Sequence, residues 1–363
     1  MPSKLQKNAR LRIFLIILGV VTVYSLLVWT LVFVEQDSSQ SNLTNYSNAI
    51  WYSLATLTTV GYGDLFPGTV YGRMIGYVLM LTSIFIFGLL IGQLTTLMAT
   101  IRENKKLGYS GTNFSNHAVI IGWNEFGWHV VDQLVGVGRK VAVVTNKKDD
   151  VELIKEKYHQ KNVYVLFSDY NNFEFLKKSN IENATITFIN MDDDTEKLVY
   201  VLNIKKVFPE TDFVVTLENG DLKNTFLAAG VSNTISTKEI SSKLLASYMF
   251  EPDVATYSES ILSYAKSDGD YDIKQLLITP NNPYNGKSYQ EVFFDLKKRY
   301  NSVLIGITKR DKYGNKKLIK NPLGDLKVSV GDYLIIILNG KAYKLLKKIF
   351  GVEEGALKDK KSS

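Results

Sequence analysis

The chain has 363 residues and no cysteine, so it has room for a membrane region and one or two soluble domains but no disulfide and no thiolate metal site. Its formal net charge of +7 is modest and comes largely from the basic N-terminus and the Lys-rich tail. This distribution favours solvation beside a membrane and argues against nucleic acid as a partner. Hydrophobic residues make up 45% of the chain, and their excess lies before about residue 101.

Two uncharged apolar stretches predict two transmembrane helices, over residues 13–34 and 74–101. Each is long enough for a helix to cross a bilayer, which takes about 20 residues. The first stretch is longer than the core of a signal peptide, and no small-residue cleavage site follows it. We therefore expect it to be retained as a helix.

The basic residues predict the orientation of these helices. They precede the first stretch and follow the second, at Lys4, Lys7, Arg10, Arg12, Arg102, Lys105 and Lys106. The segment between the stretches carries Glu35, Asp37 and Asp64, with Arg73 as its only basic residue. The positive-inside rule then predicts a multi-pass protein of the cell (plasma) membrane, surrounded by membrane lipid, with both termini in the cytoplasm.

A pore helix and an ion filter are predicted between the two spans, over residues 46–64. Residues 46–57 are too few to cross the membrane and too apolar for a free loop, which favours a re-entrant helix buried in protein. The sequence Thr-Thr-Val-Gly-Tyr-Gly-Asp follows at 58–64. Its alternating glycines permit backbone angles that let successive carbonyls point towards one axis. Four such segments would replace the water shell of a potassium ion.

The order helix, Trp-Tyr pore helix, TLTTVGYGD and helix resembles the two-transmembrane prokaryotic potassium channels, which are homotetramers. The resemblance implies a selectivity filter for K⁺ formed by Thr59, Val60, Gly61, Tyr62 and Gly63. It also implies that Asp64 forms a hydrogen bond behind the filter. Trp51 and Tyr52 are candidates to support the filter, and anchoring at the membrane interface is the alternative role for either ring.

The second span is predicted to line the inner pore. Glycine in a membrane helix indicates either close packing or a point of bending. The hinge glycine of the family matches Ser83 in a gapless alignment, so Gly88 is the candidate for the gate hinge.

The rest of the chain predicts a Rossmann-like domain followed by smaller elements. Short apolar strands at 117–122, 141–144, 163–167, 184–189 and 213–217 alternate with helices, which is typical of a doubly wound parallel sheet. Glu251-Pro252 separates two further helices, because proline breaks the preceding turn. The predicted organisation is a pore domain at 1–101, a linker at 102–115, the Rossmann-like lobe at 116–237, a helix-turn-helix at 238–264, a small α+β subdomain at 265–350 and a disordered tail at 351–363.

The first turn of this lobe is a degenerate dinucleotide fingerprint. Gly122 and Gly127 take the outer glycine positions, but Asn124 replaces the middle glycine. Thr145 ends the second strand where a ribose-binding acid usually stands. These residues are a candidate nucleotide site, and a purely structural turn is the alternative.

Placed after a pore, this fold resembles the RCK (regulator of K⁺ conductance) domain with its TrkA-N and TrkA-C subdomains, similar to that of calcium-gated archaeal and bacterial channels. The resemblance rests on Gly122-Trp123, the run at 188–196, Ala228-Ala-Gly230 and Gly331-Asp332-Tyr333. It implies a cytoplasmic gating ring in which residues 238–264 form a dimer interface. A homotetramer supplies four such domains whereas rings in the family often have eight, so additional soluble RCK subunits are possible partners.

Candidate sites for the gating ligand lie in both soluble subdomains. Asp192, Asp193, Asp194 and Glu218 could bind Ca²⁺ or another cation, although acids at a helix N-terminus explain the first three equally well. Relative to calcium-gated members of the family, Asn190 and Thr216 replace acids and Glu218 is kept. In the C-terminal subdomain, the residues Lys309, Arg310, Lys312 and Lys316 could bind a cyclic dinucleotide, with solvated surface charge as the alternative.

The sequence therefore predicts a potassium-selective channel gated by a cation or a nucleotide. The alternatives are control by a nucleotide or cyclic dinucleotide without divalent activation, a non-selective channel, and a membrane-tethered dinucleotide-binding enzyme. We expect no enzyme, because the middle glycine, the ribose-binding acid and an obvious catalytic pair are missing. The histidines His117, His129 and His159 suggest no metal triad.

Overall fold

The computed structural model describes residues 4–38, 41–159, 161–310, 316–351 and 355. The chain divides into two compact units, Met1–Glu103 and Asn104–Ser363. This division falls next to the predicted end of the pore domain at residue 101.

The first unit contains three helices: α1 (Lys4–Glu35), α2 (Tyr46–Leu57) and α3 (Val70–Lys106). The Asn45 side chain caps α2 by accepting a hydrogen bond from the Asn48 N–H. Among the described residues, two helices are long and apolar enough to cross a membrane, over Leu18–Glu35 and Val70–Lys106. A small core of α1, α2 and α3 side chains includes Leu31, Ala49 and Leu79. Most other apolar side chains of this unit are exposed in a single chain, as expected of surfaces that meet lipid or other subunits.

A six-stranded parallel sheet forms the centre of the second unit. Its strands are β1 (Ala118–Ile121), β2 (Val141–Thr145), β3 (Val163–Phe167), β4 (Ile186–Ile189), β5 (Phe213–Leu217) and β6 (Asn233–Ser236). The intervening helices are α4 (Glu125–Gly136), α5 (Lys148–Lys157), α6 (Phe173–Leu176), α7 (Asp194–Val207) and α8 (Lys223–Ala228). The strand order β3-β2-β1-β4-β5-β6 is the doubly wound order, which confirms the predicted Rossmann-like fold.

The register of this sheet positions a crevice. Ile121 lies opposite Val144 on one side and Ile189 on the other, so β1, β2 and β4 end together. The order of the strands reverses between β1 and β4, and ligands of such sheets bind outside the carboxyl ends at that point. All residues of β1 and β2 are buried, as helices on both faces require.

Helices α9 (Thr237–Phe250) and α10 (Pro252–Leu262) form the predicted helix-turn-helix. Ser236 caps α9, and Pro252 occupies the start of α10, where its missing N–H is not needed. Within the described part of the chain, α9 buries none of its residues and α10 buries only Ala255. The hairpin therefore exposes a long apolar surface.

The C-terminal subdomain is a four-stranded antiparallel sheet with two helices. Its elements are β7 (Tyr271–Leu277), α11 (Tyr289–Tyr300), β8 (Val303–Arg310), β9 (Lys316–Lys320), β10 (Tyr333–Asn339) and α12 (Gly340–Phe350). The strand order is β7-β10-β8-β9. A separate apolar core that includes Leu304, Leu334 and Leu346 holds it together. The predicted tail lies outside the described residues, except for 351 and 355.

The predicted linker is bonded to the Rossmann-like lobe beyond the end of α3. Leu107 is buried, and its carbonyl accepts a 3.0 Å hydrogen bond from the Phe167 N–H at the end of β3. Farther along, the Thr112 N–H donates to the Lys178 carbonyl over 2.9 Å. The Asn180 side chain donates to the Phe114 carbonyl over 2.7 Å. The segment after α3 is thus fixed to the β3 side of the sheet.

Candidate functional site

The filter segment alternates in backbone handedness. Thr59, Gly61 and Gly63 have φ angles of +61°, +54° and +74°, whereas Val60 and Tyr62 between them do not have positive φ. This alternation turns successive carbonyls to the same side of the segment. A left-handed conformation costs a non-glycine residue about 1–2 kcal/mol, so the surroundings must hold Thr59 in place. The end of α2 contributes, because the Val60 and Gly61 N–H groups both donate to the Ala55 carbonyl over 3.0 and 3.1 Å.

Trp51, a candidate support residue, contacts the predicted filter segment and Asp64. Its indole Nε1–H donates a 3.0 Å hydrogen bond to Asp64 Oδ2. Its ring also stacks on the Tyr62 ring, with centroids 5.4 Å apart and planes 9° apart. Tyr52, the second candidate, is buried and lies beside Gly76 of α3. Trp51 therefore contacts the filter directly, whereas Tyr52 packs between helices.

Glu35, at the end of α1, is a polar centre that the sequence reasoning did not single out. Its carboxylate accepts hydrogen bonds from the Gly68 N–H (2.9 Å), the Thr69 N–H (3.0 Å) and the Thr69 hydroxyl (2.6 Å). The residue is completely buried in the chain. A Cβ on Gly72 would lie 1.8 Å from Glu35 Oε1, so a larger residue there would have to displace the carboxylate. The signal available in the sequence was a carboxylate directly at the end of an apolar span.

The gate-hinge candidate, Gly88, lies in the uninterrupted helix α3. A Cβ built on Gly88 meets no atom within 4 Å, so the residue leaves open space on its side of the helix in a single chain. Ser83, at the hinge position of the family, is buried. The role of Gly88 as a hinge stays a prediction.

The carboxyl ends of the parallel strands border a cavity of about 710 Å³, which we call the sheet-edge pocket. It is lined by the turn after β1, the ends of β2, β3 and β4, and one side of α7. Gly122 has a φ of +102°, and a Cβ there would lie 2.0 Å from the Asn190 carbonyl oxygen. The tight β1–α4 turn therefore requires glycine at this position.

Three of the four candidate nucleotide-binding residues meet at this turn. Asn124 Oδ1 accepts a 2.9 Å hydrogen bond from the Gly127 N–H and a 2.7 Å bond from Asn190 Nδ2. Its Nδ2 donates to Asp192 Oδ1 over 3.2 Å. Thr145, the fourth candidate, is buried, and its hydroxyl donates to Asp150 Oδ2 over 2.5 Å.

The four carboxylates predicted to bind a cation do not converge. Asp192 is bonded to Asn124, Asp193 caps α7 at the Glu196 N–H (2.8 Å), and Glu218 pairs with Lys238 over 3.1 Å. Among the described residues, no group of three or more His, Cys, Asp or Glu side chains could hold a metal ion. The predicted set therefore does not fit a calcium ion within one chain, because each carboxylate already serves the local structure.

Asp194 is the most firmly engaged of the four. It forms a 2.9 Å ion pair with the buried Lys197 and accepts hydrogen bonds from the Glu218 N–H (3.1 Å) and the Asn219 N–H (2.9 Å). Burial opposes its ionisation, but these hydrogen bonds and the Lys197 charge together hold the pKa of Asp194 below its ordinary value. Asp194 thus joins the start of α7 to the end of β5.

The basic residues of the C-terminal subdomain include one structural ion pair. Lys309 Nζ lies 2.7 Å from Asp332 Oδ2, and the same oxygen accepts a hydrogen bond from the Ser329 N–H over 2.8 Å. Lys312 lies outside the described residues, as does the side chain of Lys316. The contacts of Lys309 favour a structural role for that residue.

Comparison with known proteins finds a family model that matches a segment of each unit. Residues 10–100 match the ion channel family, and residues 118–237 match the TrkA-N domain. The chain is similar to the calcium-gated potassium channel TvoK of Thermoplasma volcanium, with 22% identity over 93% of this chain and 94% of that protein. It is also similar to the putative potassium channel protein YugO of Bacillus subtilis, with 24% identity over 83% of this chain and 89% of that protein. The chain is a homologue of the potassium channels that carry an RCK (TrkA-N) domain.

Solved structures of RCK channels resemble the chain more distantly. A GsuK channel bound to NAD covers 96% of this chain at 15% identity, with a TM-score of 0.40. The chain spans 60% of the length of that solved chain. The gating ring of human SLO3 covers 65% of this chain, at 15% identity and a TM-score of 0.46, and 46% of the SLO3 chain is covered.

Proposed function

We propose that four copies of this chain form a potassium-selective channel in the cell membrane, with both termini in the cytoplasm and RCK domains that bind a gating ligand. The observation that carries the proposal is the segment 59–63, whose backbone alternates in handedness directly after the re-entrant helix α2. Four such segments around one axis would present stacked rings of carbonyl oxygens to the ion. K⁺ is then the transported substrate, and coordination by these oxygens offsets the free-energy cost of removing its hydration shell.

The segment after α3 supports coupling between ligand and gate. Helix α3 continues without a break to Lys106, and Leu107 is buried at the end of β3. Lys155 donates to the Lys106 carbonyl, and Tyr164 donates to the Gly108 carbonyl. Because the chain is fixed to the lobe directly after the helix, a movement of the lobe would be transmitted to the end of α3.

The sheet-edge pocket is the ligand site that we propose for this lobe. It stands at the switch point of the sheet, where doubly wound folds bind their ligands. The relative TvoK is described as calcium-gated. Calcium gating of this chain would need ligands other than the four carboxylates, since these are engaged elsewhere. We assign the pocket a binding role and no catalytic one.

Ion selectivity can be tested with the purified protein in planar bilayers. We expect the reversal potential to change with the K⁺ gradient and to be independent of the Na⁺ gradient. The Gly61→Ala variant, which places a side chain at a φ of +54°, should lose selective current, whereas Gly19→Ala, in open space at an ordinary φ in α1, should keep it. A reversal potential insensitive to K⁺ in the unmodified protein would refute the proposal. Addition of nucleosides, nucleotides or Ca²⁺ to the cytoplasmic side of the same bilayers would then identify the gating ligand.

A further inference from the structure

We propose that the sheet-edge pocket binds an uncharged ligand of the nucleoside class, and that the Asn124 side chain occupies the place where a nucleotide diphosphate would sit. This inference deepens the ligand-gated function proposed above and rests on it. It concerns only what the pocket selects, so it can fail while potassium selectivity stands.

The N-terminus of α4 is already capped from within the protein. In a dinucleotide-binding fold, the free N–H groups at this terminus bind the pyrophosphate. Here Asn124 Oδ1 accepts the hydrogen bond of the Gly127 N–H over 2.9 Å. Asn190 is buried and donates to the same oxygen over 2.7 Å, which fixes the rotamer of Asn124. A phosphate would have to displace a side chain that is held at both ends.

The charges around this turn also oppose a diphosphate. Asp192 accepts a hydrogen bond from Asn124 Nδ2, and Glu125 lies in the first turn of α4. Glu196 lines the pocket as well, and Lys147 is the only basic residue among the lining residues. Lys147 follows β2 and does not belong to the β1–α4 turn, whereas a diphosphate at the start of α4 would lie next to the carboxylates of that turn.

The lining suits an uncharged polar ligand. It contains five asparagines, Asn124, Asn146, Asn171, Asn190 and Asn203. An amide presents a hydrogen-bond donor and an acceptor together, and this pair can form two hydrogen bonds with the edge of a nucleobase. Trp123, Tyr170 and Tyr200 add aromatic surface, and the volume of about 710 Å³ lies within the range of small-molecule sites.

The ribose end of the pocket lacks the carboxylate that usually binds a ribose. The acid that binds a ribose diol in NAD-binding folds is replaced by Thr145, whose hydroxyl is bonded to Asp150. The next residue, Asn146, accepts a hydrogen bond from the Tyr170 hydroxyl over 3.2 Å. A hydroxyl at the position of the acid and an amide at the next residue thus replace the expected carboxylate.

Calorimetric titration of the purified full-length channel tests the ligand class. Adenosine, guanosine, AMP, ADP and NAD are the probes. We expect a purine nucleoside to bind, and ADP and NAD to bind at least about tenfold more weakly. Asn124→Gly should remove the internal cap and strengthen ADP binding about tenfold, at little cost to the helix because glycine is tolerated at this cap. Asp192→Asn, which keeps the cap, should strengthen ADP binding in the same direction.

Asn301→Gly is the matched control, because it makes the same exchange in the C-terminal subdomain at an Asn with a φ of +48°. It should leave all the affinities unchanged. Tighter binding of ADP or NAD than of every nucleoside by the unmodified protein would overturn the inference, as would no nucleoside binding at millimolar concentration. Selectivity for K⁺, measured on the same preparation, shows separately whether the channel function itself has failed.

Discussion

His117 is a buried titratable side chain at the start of the first strand. Its Nε2 lies 2.9 Å from the Ser179 carbonyl oxygen, and the Phe114 ring meets the imidazole edge-on at 5.9 Å. Its Nδ1 is buried and has no hydrogen-bond partner in the described part of the chain. Lys140 is the charged group nearby, with its ammonium 5.2 Å from the centre of the Phe114 ring. Burial above all, with the Lys140 charge, lowers the pKa of His117, and the bond to Ser179 opposes them only in part.

A lowered pKa makes the stability of the folded chain sensitive to mild acid. The unfolded chain takes up the His117 proton at the ordinary pKa of 6.5, before the folded chain does. The free energy of unfolding should therefore fall as the pH falls below that value. We expect the melting temperature of the detergent-solubilised protein to drop between about pH 7.5 and about pH 5.5.

The His117→Gln variant should show a smaller drop than the unmodified protein, because the amide keeps a donor for Ser179 but does not titrate in this range. His159→Gln, at an exposed histidine, is the control and should behave like the unmodified protein. If the melting temperature falls equally with pH in His117→Gln and in the unmodified protein, His117 is not the source of this acid sensitivity.

At the scale of elements, Glu35 joins the end of α1 to the start of α3. Its carboxylate accepts three hydrogen bonds from Gly68 and Thr69, and the Thr69 hydroxyl in turn accepts a 2.9 Å bond from the Gly72 N–H in the first turn of α3. The segment between Asp64 and α3 is therefore held by a residue outside the filter. Negative charge at a helix N-terminus is also favoured by the helix dipole.

Replacing Glu35 by Gln should destabilise the folded channel by about 1–3 kcal/mol, because the amide NH₂ would face a buried N–H that loses its acceptor. Thermal unfolding of the detergent-solubilised protein measures the change. Asp37→Asn, an exposed carboxylate in the same segment, is the matched control and should leave the melting temperature unchanged. A melting temperature for Glu35→Gln equal to that of the unmodified protein would show that these bonds do not stabilise the fold.

Elements that follow from local pattern were predicted from the sequence, and contacts between distant segments were not. The bounds of α2, β3 and β5 were predicted as observed, because apolar runs end at clear polar or turn residues. Strand β6 was missed since its sequence, Asn-Thr-Ile-Ser, is polar and lies at the sheet edge. Helix α12 was missed although its apolar side chains recur at helical spacing.

In the candidate site, too, local features were predicted from the sequence and contacts between distant segments were not. The sequence located the glycines of the β1–α4 turn and the acids after β4, but the bond between Asn124 and Asn190 joins residues 66 positions apart. That contact depends on β1 and β4 being neighbours, which only the sheet order provides. The bond between Glu35 and Thr69 likewise spans 34 positions and leaves no local pattern.

At the scale of the whole molecule, the hairpin α9–α10 is a surface of the second unit that exposes several large apolar side chains. Leu245, Met249, Phe250 and Leu262 are between 63% and 81% exposed, and contiguous apolar exposure of this kind marks protein–protein interfaces. Pairing of two copies about a twofold axis would bury the same patch on both. This pairing would join RCK domains into the ring that the proposed function requires.

The absence of cysteine allows this pairing to be measured with single introduced thiols. We expect Leu245→Cys, Met249→Cys and Phe250→Cys to give covalent dimers with a short bis-maleimide in the assembled channel. Leu323→Cys is the control, since Leu323 is as exposed as Phe250, at 82% against 81%, but lies outside the hairpin. It should stay monomeric, which separates pairing of the hairpins from the proximity that a shared pore imposes on all four copies. Adding Phe250→Glu to Met249→Cys should reduce the dimer, because a charge would be buried without a partner. Monomers from all three hairpin variants would place the ring contacts on another face of the domain.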